Sequence, residues 1–331
     1  MMKRLLIGSL LALASLTTAT RAQEVVIDGL YNPCGITVQP ETGTLFVADS
    51  GNRRIVRIVD GAAQDVIVEF GKDVYGKGPM YDIGPLGIAF LDQETLVVGG
   101  GGAPDGEEAL FVYKIPAAGE PAINAADAAA SFTLAATDEI KGEGNFYGLA
   151  VTEDAIYVTC NGDDTKGWVS KADRNGTEVG PFTRFLATKE ATEVDAPVAI
   201  TVSPEGHLAV GQMGEISVPG DGLLTFYRPE DGNMLANFAL GLSDICGLAY
   251  SPKGQLFAVD FSWHDTTQGG LFQLIRDADD ATKSTTREIA ELDKPTAMVF
   301  GRRWQLVCHG DRDGRRRFDR SAGKVICFSG L

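Results

Sequence analysis

Three oxygen-bearing side chains, Asn32, Asn145 and Asp244, each stand three residues ahead of a glycine, Gly35, Gly148 and Gly247, that lies inside a short apolar run. Amide and carboxylate oxygens at matched places suit a hard cation such as calcium, which takes oxygen ligands and completes its shell with water. The competing reading of Asn32 and Asp244 is local, because Asx side chains cap turns that enter strands. A second set is Asp49, Asp260 and His309, at the ends of the apolar runs that follow. An imidazole between two carboxylates is able to act as base or ligand; the structural alternative is that Asp49 and Asp260 bond loop amides. A third set lies in V-C-H-G-D-R-D-G-R-R-R-F-D-R, where Arg312, Arg315, Arg316 and Arg317 offer guanidinium forks. Such forks pair bidentately with carboxylate, sulfate or phosphate groups. The alternative there is a solvated loop whose arginines pair with nearby acids.

These residues take their places from a repeat. The patterns Pro33-Cys34-Gly35-Ile36-Thr37-Val38, Pro85-Leu86-Gly87-Ile88-Ala89-Phe90 and Phe146-Tyr147-Gly148-Leu149-Ala150-Val151 recur three more times, around Ala199, Gly247 and Ala297, with a period near fifty residues. Each copy continues with a turn and further apolar runs of strand length, bounded by Gly, Pro, Asn and Asp, which predicts four short strands per copy. Such units are the blades of a β-propeller. The sixth copy stops after its third strand, Lys324–Phe328, and Glu24–Asp28 near the start supplies a fourth, so the expectation is an all-β, six-bladed propeller of four-stranded blades closed by the N-terminal strand. Closure of this kind removes open sheet edges.

Side chains alternate along a strand, so the positions one and three before the aligned small residue face the channel. One before, the chain has Cys34, Leu86, Tyr147, Val198, Cys246 and Thr296, a mostly apolar ring in which Tyr147 is a ligand-binding candidate. The stretch Gly99–Gly102 lacks the Lys-Ser/Thr ending of a phosphate loop and reads as a flexible connection on the top face.

The chain begins M-M-K-R-L-L-I-G-S-L-L-A-L-A-S-L, a basic start followed by an apolar run too short to span a bilayer. Residues 1–22 read as a signal peptide and 23–331 as one propeller domain, exported to the periplasm or outside the cell, without membrane insertion. Loss of Lys3, Arg4 and Arg21 takes the formal charge from −16 to −19, which argues against nucleic acid as a partner. Against this background the segment from Gly301 to Lys324 carries seven arginines and one lysine against three aspartates. Five cysteines leave at least one thiol free or bound to another chain. Cys34 and Cys246 read as buried thiols, whereas Cys308 and Cys327 fall on neighbouring strands within conceivable reach of a bridge.

The run from Pro33 to Ile55, with Gly43-Thr44-Leu45-Phe46-Val47-Ala48-Asp49-Ser50-Gly51-Asn52-Arg53-Arg54-Ile55 at its end, resembles an NHL repeat. The whole of 23–331 resembles the six-bladed propellers that group NHL-repeat proteins with senescence-marker/gluconolactonase-like and strictosidine-synthase-like proteins. The resemblance implies a site on the top face and, for gluconolactonase-like members, a divalent cation in the channel held by Asn or Asp directly before the aligned glycine. This chain has Cys34, Tyr147 and Cys246 at those places. The expected function is therefore a binding or interaction module, expected as a monomer, that takes an anionic ligand or protein through its top face; the alternative is a cation-dependent, lactonase-like hydrolase or a lyase around Asn32, Asn145, Asp244 and His309.

Overall fold

The computed structural model describes residues 23–76, 79–162, 165–194, 196–277, 279–280, 283–301, 305–309 and 323–331. The leader, residues 1–22, and the loop with Arg312, Arg315, Arg316 and Arg317 lie outside the described residues.

The repeats form an all-β propeller of four-stranded blades whose strands run in chain order from the inside outward, except for the outermost strands of the first and last sheets. In the fourth repeat, for example, Pro197–Val202 pairs with Leu208–Gln212, which pairs with Leu223–Tyr227, which pairs with Met234–Ala239, all antiparallel. Uniform four-stranded sheets are not what the chain makes: five sheets have four strands, and that of the first repeat has five. The extra strand, Ile123–Asn124, comes from the second repeat and runs parallel to Ala62–Val68. The first described strand, Gln23–Leu30, pairs antiparallel with Gly323–Phe328, in the sheet that also holds Pro295–Phe300 and Gln305–His309.

The core lies between sheets. Phe46 and Ile55 of the first sheet pack with Leu96, Val98 and Tyr113 of the second, and Leu224 and Phe238 of the fourth with Leu248 and Leu256 of the fifth. Second strands are covered on both faces, so Ala155–Cys160 is buried at all six positions and reads as a continuous apolar run rather than an alternation.

The small residue of each repeat has a steric cause. Innermost strands of successive sheets touch, Pro33–Val38 against Pro85–Phe90 and so on round to Pro295–Phe300, which touches Pro33–Val38 again. A Cβ on Gly35 would collide with the Leu86 carbonyl, one on Gly87 with that of Tyr147, and one on Gly148 with that of Val198. Every innermost strand also shifts register around this point, between Pro33 and Gly35, Pro85 and Ile88, Phe146 and Leu149, Pro197 and Ala199, Ile245 and Gly247, and Pro295 and Ala297. A bulge re-aims its side chain. The six residues so placed are Cys34, Leu86, Tyr147, Val198, Cys246 and Thr296, the ring expected from sequence.

The bridge considered between Cys308 and Cys327 does not form. Cys308 stands opposite Val325, Cys327 opposite Leu306, and Cys327 is a free thiol, as are Cys34, Cys160 and Cys246. The glycine run is not a loose connection either: Gly99 and Gly100 end a strand, a Cβ on Gly99 would strike the Phe146 carbonyl, and one on Gly102 would strike the backbone of Gly71. No helix among the described residues is long and apolar enough to cross a membrane.

Candidate functional site

The top of the channel is closed by side chains. Tyr147 reaches across the ring and its hydroxyl donates to the Thr296 carbonyl at 2.9 Å, while the Thr296 hydroxyl donates to the Pro33 carbonyl at 2.6 Å. Tyr147 is thus committed to the throat. Over it lies a two-stranded ribbon, Asp73–Tyr75 paired with Tyr81–Ile83, inserted between the first and second sheets. Tyr75 and Tyr81 from this ribbon meet the edge of Trp263, and Tyr81 also meets Phe261, residues of the fifth repeat. Edge-to-face aromatic pairs of this kind add to the stabilisation from burial.

The ribbon is tied down through Asp82. Its carboxylate accepts from the Tyr31 hydroxyl at 2.9 Å and pairs with Lys72 at 3.0 Å, and its carbonyl accepts from the Asn32 amide nitrogen at 3.0 Å. Asn32 and Asn145 line one cavity in the throat; Asp244 does not join them there. The Asp244 carboxylate accepts the Trp263 backbone amide at 2.5 Å, and burial, with Asp260 and Asp221 nearby, pushes its pKa up to about 6. Among the described residues no group of three or more His, Cys, Asp or Glu is placed to hold a metal ion.

Backbone geometry explains why asparagine recurs. The position three before the small residue has φ of 45° at Asn32, 48° at Asn145, 51° at Ala196 and 56° at Lys294. Asparagine tolerates this left-handed region better than most residues. The regularity noticed in sequence is a turn requirement in the main chain.

Asp49 and Asp260 of the second nominated set bond the protein itself. Asp49, fully buried, accepts from the Tyr31 amide at 2.7 Å, the Asn52 side chain at 2.8 Å and Arg54 Nε at 2.8 Å. Asp260 accepts from the amides of Ser243, Asp244 and Ser262 at 2.9, 2.7 and 3.0 Å. Burial raises its pKa and these three amides oppose the shift. Each aspartate holds the loop entering its own innermost strand. His309 is described by its backbone, opposite Pro295 and Lys324.

Beside the capped throat, over the second to fourth repeats, is a cavity of about 640 Å³ whose polar wall is Asp73, Asp105, Asn145, Asn161, Lys189 and Glu215. Asn161 donates its side-chain N–H to the Tyr75 hydroxyl at 3.0 Å, which ties this wall to the ribbon. Behind Asp105 lies Glu108, 3% exposed, whose carboxylate accepts the amide of Asn145. Glycine makes room for the two acids: a Cβ on Gly144 would meet Glu108 Oε2 and, at 2.7 Å, Asp105 Oδ1. Burial pushes the Glu108 pKa up to about 8, and the charges of Asp105 and Asp73 add to it, although amides of Asn145 and Ala103 pull the other way. A carboxyl that keeps its proton near neutral pH beside a second carboxylate is an arrangement suited to proton transfer.

Sequence reasoning passed over Asp73, Asp105, Glu108 and Asn161. A signal was present in Asp105-Gly106-Glu107-Glu108, an acidic stretch in the top-face loop of the second repeat. Nothing local distinguishes it from a solvated loop, because its neighbours come from the ribbon and the third repeat.

No protein-family model and no curated protein matches the chain. Solved structures do. The PQQ-bound aldose sugar dehydrogenase of Streptomyces coelicolor aligns over 94% of this chain and 99% of its own, with 14% identity and a TM-score of 0.59. A gluconolactonase of Xanthomonas campestris aligns over 93% and 89%, with 15% identity and a TM-score of 0.60. The calcium-binding protein regucalcin of Agrobacterium tumefaciens aligns over 94% and 96%, with 13% identity and a TM-score of 0.56. At these identities the likeness establishes the propeller fold.

Proposed function

We propose that this protein is a lactonase-like hydrolase of small polyhydroxylated lactones, acting in the polar cavity over the second to fourth repeats. The observation that carries the reading is Asp105 on the cavity wall with the proton-holding Glu108 directly behind it. In lactone hydrolysis the hydroxide portion of water adds to the carbonyl carbon and the ring acyl C–O bond breaks. Asp105 takes the water's proton and passes it to the departing ring oxygen, while the Lys189 ammonium, on the same wall, offsets charge on the carbonyl oxygen. No step is routed through a cation. The chemistry named for the gluconolactonase and sugar dehydrogenase neighbours agrees with a small polyhydroxylated substrate.

The test is proton release from glucono-1,5-lactone by the full chain, with Asp105→Asn as the control. Turnover that Asp105→Asn removes supports the reading. Calorimetric binding with no turnover at any pH from 5 to 9 would instead support a binding module, the reading favoured by one observation: Tyr147, Asp49 and Asp260 all spend their polar groups on the protein itself.

The proposal includes one closed ring of six blades, supported by the contacts of innermost strands and by the pairing of Gln23–Leu30 with Gly323–Phe328. It also includes export with cleavage near Gln23, supported by the basic start and apolar run of residues 1–22; the mass of the secreted chain checks it.

A further inference from the structure

Another cavity, of about 700 Å³, lies in the cleft between the fourth and fifth sheets, a size ordinary for a small-molecule site. It opens beside the turn Ser203–His207, which joins the two inner strands of the fourth repeat at the end away from the capped throat. Sequence accounts for its walls. Side chains at alternate places along a strand share a face. Leu224 and Phe226 of the fourth sheet pack with Phe272 and Leu274 of the fifth, and two places further on in each strand comes an arginine, Arg228 and Arg276, both on the cavity wall. The runs L-T-F-Y-R and F-Q-L-I-R thus carry one pattern, apolar, apolar, cation, toward a common cleft. Its floor is partly open. Phe226, Tyr250 and Leu274 are half-buried, and at the rim Leu235 is 40% and Ile275 41% exposed. With the neighbouring Met234 these make three of the seven large apolar side chains exposed among the described residues, and a gathering of that kind marks a binding surface. Arg228 pairs with Asp231 at 2.8 Å, whereas Arg276 has no ion pair among the described residues. Burial pushes the Tyr250 pKa up to about 12, Glu205 adds to the shift and Arg276 opposes it, which puts the three groups near one another.

We propose that this cleft binds a free fatty carboxylate, whose alkyl chain lies on Phe226, Leu274 and Ile275 and whose carboxylate meets the guanidinium of Arg276, with Arg228 as the second cation. Charge complementarity selects the head group: two guanidinium groups at one cavity are a local exception on a chain of formal charge −16, and their forks match a carboxylate. The half-open apolar floor selects the chain, because each methylene laid on it leaves water. The recessed shape favours a free acid over a bilayer, which meets side chains that protrude. The site is separate from the polar cavity and independent of the hydrolase reading.

The experiment titrates the full chain with sodium hexanoate, octanoate and decanoate below their micellar concentrations, by calorimetry. The expected result is one site whose affinity rises about two- to fourfold for each methylene. Arg276→Glu is expected to weaken decanoate at least about tenfold and Ile275→Asn about fivefold, with melting temperature held within about 2 °C because both side chains are exposed. Lys189→Met, in the polar cavity, is expected to leave decanoate binding unchanged. No binding, equal affinities for hexanoate and decanoate, binding that survives both substitutions in the cleft, or binding that Lys189→Met removes overturns the site. Sedimentation with phosphatidylglycerol vesicles without binding of monomeric decanoate assigns the cleft to a membrane surface, and self-association abolished by Ile275→Asn, again without decanoate binding, assigns it to a second copy of the chain. Either result overturns the free acid.

Discussion

The throat of the channel and the cavity beside it adjoin and share Tyr75, Asn145, Asn161 and Met213, yet polar side chains behave differently in the two. In and around the throat, Asp49 accepts from amides and the Arg54 guanidinium, Asp260 accepts from three amides, and Tyr147 and Thr296 bond carbonyls across the ring. At the cavity, Glu108 is buried behind Asp105, and that burial, with the charges of Asp105 and Asp73 adding to it, pushes its pKa up to about 8. Buried polar groups that find complementary partners stabilise a fold; a carboxyl buried with other acids nearby loses stability and acquires titration near neutrality. Residue type alone does not separate the two cases.

The comparison breaks most completely at the glycines. Gly148→Val puts a branched side chain where the Val198 carbonyl already lies, and the expected loss is about 3 kcal/mol or more in urea unfolding; a loss below about 1 kcal/mol would show that the strands separate easily. Asp105→Asn is expected to lower kcat by about 100-fold, roughly 2.7 kcal/mol at the barrier, with melting temperature held or raised. Asp260→Ala acts oppositely, costing about 2 kcal/mol of stability by orphaning three amides while kcat per folded molecule stays within about twofold.

The pH dependence sharpens the contrast. Glu108 binds its proton with a pKa of about 8 when folded and near the ordinary 4.5 when unfolded, so the folded state holds the extra proton between those values. Its contribution is therefore present below about 4.5 and is lost as pH rises to about 8, a drift of up to about 5 kcal/mol, to which Asp244 adds below about pH 6. Glu108→Gln is expected to flatten that drift in denaturation curves at pH 5, 6.5 and 8.5. An unchanged slope would remove Glu108 from the account. Smallest is Asn32→Gly, which keeps the φ of 45° accessible and loses one bond to Asp82, so about 1 kcal/mol or less is expected.

Much of this was legible in the residues. The aligned small positions, the apolar ring with Tyr147 and the amide-bonding role of Asp49 and Asp260 all follow from a repeat whose units must meet backbone to backbone. Other readings failed for identifiable reasons. Asn32 and Asn145 recur at matched places for a reason that residue type does not reveal, because sequence does not report φ and a left-handed turn selects asparagine as readily as a cation does. Gly99–Gly102 looked loose because glycine serves both flexible loops and close contacts, and the Phe146 carbonyl that decides between them comes from the next repeat. Cys308 and Cys327 lie on paired strands, but the register sets Cys308 opposite Val325.

By itself, then, the sequence determined the β-propeller and the places of its innermost strands, since strand periodicity and the need for a small residue at each crossing are local and repeated six times. Only the tertiary structure decided where chemistry can occur. Asp105, Glu108 and Asn161 acquire their properties from partners on other repeats, and burial and charge at a distance leave no mark on the residues nearby in the chain.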